Sequence, residues 1–245
     1  MRTAIATLAG LLCATAGTAQ EFFTLQGHGG PIMGIAVSET DQIATVSFDN
    51  AVGLWSDQSP LWFDGHEAAV NAVLFAPDGR VYSAGDDFTV RVWHADGRAQ
   101  AVWGGHKGKV VSLALSPDSA TVASASWDGS IGLWPTDGGA PVFLTGHSGP
   151  VNDVAFTSDG SGLYSASADG SIRLWDLSIN SERQRVIEHG FGVNELELNE
   201  DAGWLAYGAV DGGTRAIDLA TGDILADLTL ERRPILSMAT SPDGT

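Results

Sequence analysis

The feature that most constrains this chain is a pair of markers that returns at a near-constant interval. Gly-His occurs at Gly27-His28, Gly65-His66, Gly105-His106 and Gly146-His147, and a degenerate Glu188-His189-Gly190 follows. The steps between these histidines are 38, 40, 41 and 42 residues. Trp55, Trp93, Trp134 and Trp175 keep pace at 38, 41 and 41 residues, and Ile217 takes the next slot 42 residues on. Each tryptophan stands 27 or 28 residues beyond its histidine. Two markers drifting together over five units define a structural repeat, and a unit of about 40 residues must bury its apolar face against its neighbours.

Each unit reads as four short strands. An apolar, β-branched run comes first: Ile32–Val37, Val70–Phe75, Val110–Leu115, Val151–Phe156 and Val193–Leu198. Turn chemistry follows at Ala76–Gly79 (APDG), Ser116–Ser119 (SPDS) and Thr157–Gly160 (TSDG). A second strand passes through Tyr82-Ser83, Ala123-Ser124 or Tyr164-Ser165, and an Asp-containing turn leads to a third that ends on the tryptophan. Helical periodicity is absent, and 31 glycines match a chain with this many turns. The expected fold class is all-β, in four-stranded antiparallel units.

A polar set recurs inside this frame. His28, Thr45, Asp49 and Trp55 have counterparts in His66, Ser83, Asp87 and Trp93, in His106, Ser124, Asp128 and Trp134, and in His147, Ser165, Asp169 and Trp175. The hydroxyl always stands four residues before the Asp, and the Trp six after it. Ser, His and Asp together suggest a hydrolase triad. A catalytic set occurs once, however, and four equivalent copies argue for internal bracing, so no catalytic residue is expected. The fifth unit keeps His189 and Asp211 but has Tyr207 and Ile217 in the other two slots. Its polar set is expected to be absent or rewired, and the unit to rely on apolar packing. A sixth unit starts with Glu231 in the His slot and a strand over Ile235–Thr240.

These motifs resemble the WD-repeat β-propeller family over Phe22 to Thr245, although Trp175-Asp176 is the one full copy of the dipeptide that names it. The resemblance implies a β-propeller of four-stranded antiparallel blades: five complete, a sixth incomplete, and the whole a fragment of a seven-bladed ring. Phe22–Leu25 would supply an outer strand. It also implies that the His, Ser/Thr, Asp and Trp of a blade form one buried hydrogen-bonded chain, and that a partner docks on the upper face. That face is built from the slots three and five residues after the His and one before the Asp. Carried over, it includes Met33, Phe48, Asn71, Asp86, Lys109, Val111, Trp127, Asn152 and Asn194. The apolar Phe48 and Trp127 are the expected anchors.

The expected function is a non-catalytic protein-interaction scaffold. The formal charge of -18 argues against nucleic acid or an anionic membrane as the partner, and the resemblance implies a protein or peptide. Arg2, the apolar run Ala4–Ala16 and the small residues up to Ala19 read as a signal peptide over 1–19, with residues 20–245 as the mature domain and no membrane insertion after cleavage. A periplasmic or secreted location is therefore expected, and the scarcity of lysine (Lys107 and Lys109) beside frequent Arg, Ala and Gly points to a bacterial source. Similarity to exported bacterial WD-repeat proteins adds an alternative, a propeller module whose c-type cytochrome domain lies beyond residue 245. Cys13 is the one cysteine, so neither a disulfide nor a haem-attachment motif is present. No metal site, phosphate loop or dinucleotide fingerprint is found, and no cofactor is expected in this segment.

Overall fold

The computed structural model describes residues 25–56, 59–229 and 233–238. The proposed signal peptide, most of the proposed outer strand Phe22–Leu25 and the turn at 241–244 lie outside them. Among the described residues, twenty strands form five separate four-stranded antiparallel sheets, each in simple sequential order. The first holds β1 (Ile32–Val37), β2 (Ile43–Ser47), β3 (Val52–Trp55) and β4 (Pro60–Phe63). The second holds β5 (Val70–Phe75), β6 (Val81–Gly85), β7 (Val90–Trp93) and β8 (Ala99–Trp103). The third holds β9 (Val110–Leu115), β10 (Thr121–Ser126), β11 (Ser130–Pro135) and β12 (Val142–Thr145). The fourth holds β13 (Val151–Phe156), β14 (Gly162–Ser167), β15 (Ser171–Asp176) and β16 (Ser181–Glu188). The fifth holds β17 (Val193–Asn199), β18 (Trp204–Ala209), β19 (Gly213–Asp218) and β20 (Ile224–Thr229).

Consecutive sheets pack through their first strands, β1 on β5, β5 on β9, β9 on β13 and β13 on β17. Among the described residues the result is a set of propeller blades in an arc that does not close. The apolar core is split into four layers, one in each gap between blades. The layer between blades one and two joins Ala44, Val46, Val52, Leu54 and Phe63 to Val70, Val81 and Trp93. The other three repeat the scheme, with Trp134, Trp175 and Ile217 as the large group from the following blade. Both faces of a middle blade are therefore buried, which explains why β6 (VYSAG) and β14 (GLYSAS) do not alternate apolar and polar residues.

Every blade contains the same irregularity. The register of β1 on β2 jumps between Ile32 and Gly34, and the jump recurs at Val70/Ala72, Val151/Asp153 and Val193/Glu195. In the third blade Val110 pairs with Ser126 and Ser112 with Ala125. The second residue of each inner strand (Met33, Asn71, Val111, Asn152, Asn194) is thus the extra residue of a β-bulge, and a bulge re-aims its side chain.

The expected sixth inner strand is corrected for its described part: residues 235–238 are not strand. Ile235 nevertheless takes the place such a strand would start from, donating its N–H to the Ala209 carbonyl at 3.2 Å.

Candidate functional site

The recurring polar set comes together in blades one to four with nearly constant geometry. In blade three the Trp134 indole donates to Ser124 Oγ at 2.8 Å, Ser124 meets His106 Nε2 at 2.8 Å, and His106 Nδ1 meets Asp128 at 3.0 Å. Blades two and four match it through Trp93–Ser83–His66–Asp87 and Trp175–Ser165–His147–Asp169. Blade one uses Trp55, Thr45, His28 and Asp49.

The indole can only donate and an ionised Asp can only accept. With a neutral imidazole, the Ser O–H then points at His Nε2 and the ring proton sits on Nδ1. Burial supports that state by pushing the pKa of His106 and His147 down, against the pull of their carboxylates. Burial also works against ionising the aspartates, but hydrogen bonds outweigh it. Asp128 collects Ser130 and the N–H groups of Lys107 and Ser130 along with His106, and is held at about 2. Asp87 and Asp169 are lowered in the same way.

Hydrogen bonding alone would make this a hydrolase triad, with Ser on Nε2 and Asp on Nδ1. Access rules that chemistry out at these hydroxyls. Ser83, Ser124 and Ser165 are 0% exposed, and the indole N–H fills the place where a substrate carbonyl would approach.

The slot four residues after each Asp takes two forms that the repeat reading missed. In blades one and three it is Gly53 and Gly132. A Cβ at Gly132 would lie 2.7 Å from both Ser124 Oγ and Trp134 Nε1. The opposite residues on the outer strand are aromatic, Trp62 and Phe143, and they meet His28 and His106 edge-on at centroid distances of 4.7 and 5.2 Å. In blades two, four and five the slot holds Arg91, Arg173 and Arg215, each reaching the Asp four residues earlier.

In blade five the polar set is rewired rather than absent, so apolar packing is not its whole support. Arg215 contacts Asp211 at 3.1 Å, His189 Nε2 at 3.1 Å and Asp227 at 3.3 Å. Guanidinium replaces the missing hydroxyl as the hub, while Tyr207 and Ile217 fill the core.

The expected partner face divides into two groups. Three of its asparagines are engaged inside the arc. Asn71 donates to the Val110 carbonyl, Asn152 to Val193 and Asn194 to Ile235, at 3.1, 2.9 and 2.7 Å. Asn71 and Asn152 thus reach the first residue of the next blade's inner strand, and Asn194 reaches Ile235, in the equivalent slot but not in a strand. Lys109 and Asp86 pair with each other at 2.5 Å, and Lys109 also lies 5.3 Å over the Trp127 ring. Val111 is half-buried. That leaves Phe48, Trp127 and Met33 with open apolar surface, at 57%, 49% and 47% exposure.

The sequence reading overlooked Phe88. Its ring is exposed, and its backbone lies at φ +66°. The equivalent turn positions are Asn50, Gly129, Gly170 and Gly212, residue types that tolerate the left-handed region.

Among the described residues no group of three or more His, Cys, Asp or Glu is placed to hold a metal ion. No helix among them is long and apolar enough to cross a membrane.

A family model described as WD domain, G-beta repeat matches residues 19–56, 59–94, 97–135 and 141–176. Three similar curated proteins each carry the name Ribosome biogenesis protein YTM1. The one from Vanderwaltozyma polyspora is 28% identical over 108 residues, covering 36% of this chain and 24% of that protein. The Meyerozyma guilliermondii protein is 30% identical over 101 residues, covering 36% and 22%, and the Candida glabrata protein 30% over 96 residues, covering 30% and 21%. The matched region spans less than a quarter of each relative's length. These relatives correct the expected location outside the cell. All three are yeast proteins named for ribosome biogenesis, which is work done inside the cell, and none points to a bacterial periplasm.

Proposed function

The chain belongs to the WD-repeat family, and from that premise we propose that it is a non-catalytic scaffold whose upper face docks a protein partner through Phe48, Trp127 and Met33. One contrast carries the reading. The side chains that recur from blade to blade are sealed inside the blades, whereas these three vary between blades and hold apolar surface in solvent. Exposed aromatic rings on loops held by a rigid framework are typical anchors of protein interfaces. The similarity to ribosome biogenesis proteins supports work within a protein assembly.

The test compares the intact chain with a Phe48→Ala/Trp127→Ala double variant in affinity capture from a cell extract. Proteins held specifically by the wild type should fall at least about tenfold, with the denaturant midpoint unchanged. Full retention would overturn the proposal.

A further inference from the structure

The inner strands of all five blades and residues 236–237 surround a central cavity of about 620 Å³. Its composition is lopsided. Met33, Trp127 and Leu236 give it an apolar rim, each of them exposed. Asp153 on β13 and Glu195 on β17 also line it, and no lysine, arginine or histidine does so among the described residues.

The two carboxylates are not equally engaged. Asp153 ties three blades together, accepting from Ser112 Oγ of blade three at 2.6 Å and from the Leu196 N–H of blade five at 3.0 Å. Glu195 receives one long hydrogen bond from Ser237 Oγ, at 3.3 Å, and a backbone hydrogen bond from Met238. A carboxylate has about four acceptor sites, so its partners among the described residues leave Glu195 with acceptor capacity. Lys109, beside Trp127, is already matched to Asp86, and Arg91, Arg173 and Arg215 within the blades are matched to Asp87, Asp169 and Asp211.

Resting on the reading of this face as a protein-docking surface, we propose that the cavity receives a cationic side chain, lysine or arginine, from an extended partner segment whose neighbouring apolar residue packs on Trp127 and Met33. Charge complementarity selects this occupant. An anionic insert would meet like charge, and a purely apolar one would leave Glu195 unpaired or oblige it to take up a proton. A cation supplies the missing donors to Glu195. Burial, together with the charge of Asp153, raises the Glu195 pKa to about 7, the behaviour of an acid that lacks a positive neighbour. A net charge of -18 draws basic segments toward the chain before contact.

The test is calorimetric titration of the intact chain with acetyl-Leu-Arg-Leu-amide. The same peptide with citrulline, which keeps the shape of arginine without its charge, is the control. Saturable binding of the arginine peptide is expected, at least about tenfold weaker for citrulline. Glu195→Gln, nearly isosteric, should remove that preference while the near-ultraviolet circular dichroism stays unchanged. Trp127→Ala should weaken both peptides. Equal affinity for the two peptides, or no saturable binding of either up to millimolar concentration, overturns the inference. Glu195→Gln that retains extract partners while Phe48→Ala/Trp127→Ala loses them would sink this inference and leave the docking face standing.

Discussion

At the residue scale, the tryptophan works twice. Its ring fills the layer against the preceding blade, and its N–H fixes the direction of the proton chain beneath it. That chain makes stability depend on acid in a defined sense. Aspartates held below their unfolded value near 3.9 contribute stability that is complete above about pH 4. It is lost as the pH falls through the folded value, about 2 for Asp128. The lowered values of His106 and His147 act in the same direction from higher pH, because below about 6.5 the unfolded imidazole takes up a proton first. Asp128→Ala or Asp169→Ala should therefore cost about 1–3 kcal/mol at neutral pH, through partners left unsatisfied. The loss should shrink toward pH 2, as read from urea midpoints across pH. A midpoint equal to wild type at pH 7 would refute this. The His, Ser/Thr, Asp and Trp positions were legible because each sits at a repeated offset. The Gly-or-Arg slot was not, since glycine and arginine look unrelated until the structure shows one making room for an aromatic ring and the other reaching the Asp.

At the scale of the element, strand positions followed from β-branched runs and turn residues, including a fifth blade in which the tryptophan is replaced by Ile217. The bulges were hidden. One extra residue per inner strand leaves the apolar run looking continuous, and its effect appears only in the register. They explain why Asn71, Asn152 and Asn194, expected on the docking face, instead bind carbonyls of the following unit. The β6–β7 turn holds a different tension. Phe88 stands in a left-handed conformation that costs a bulky side chain about 1 kcal/mol or more. Phe88→Gly should therefore raise the thermal midpoint, by an amount equivalent to about 1 kcal/mol. An unchanged or lower midpoint would mean that the ring contributes more packing than its exposure suggests.

For the whole molecule, the two ends of the arc are unequal to its middle. Val70, Val110, Val151 and Val193 are fully buried, whereas Ile32, in the same slot of blade one, is 51% exposed. Ile35 is 65% exposed where Val154 and Leu196 are at 5%. Leu228 on blade five takes the place of Phe63 on blade one, yet is 57% exposed against 1%. Among the described residues, the outward faces of blades one and five are therefore less packed than those of the middle blades. The local closure of each polar set has a kinetic consequence as well. The His–Asp links of blades one to four span only 21 or 22 residues, so each blade assembles from near neighbours in the chain and needs little long-range search. Refolding should then spread from blade to blade as in a one-dimensional array, with amide exchange slowest in the middle blades, whose two faces are both covered.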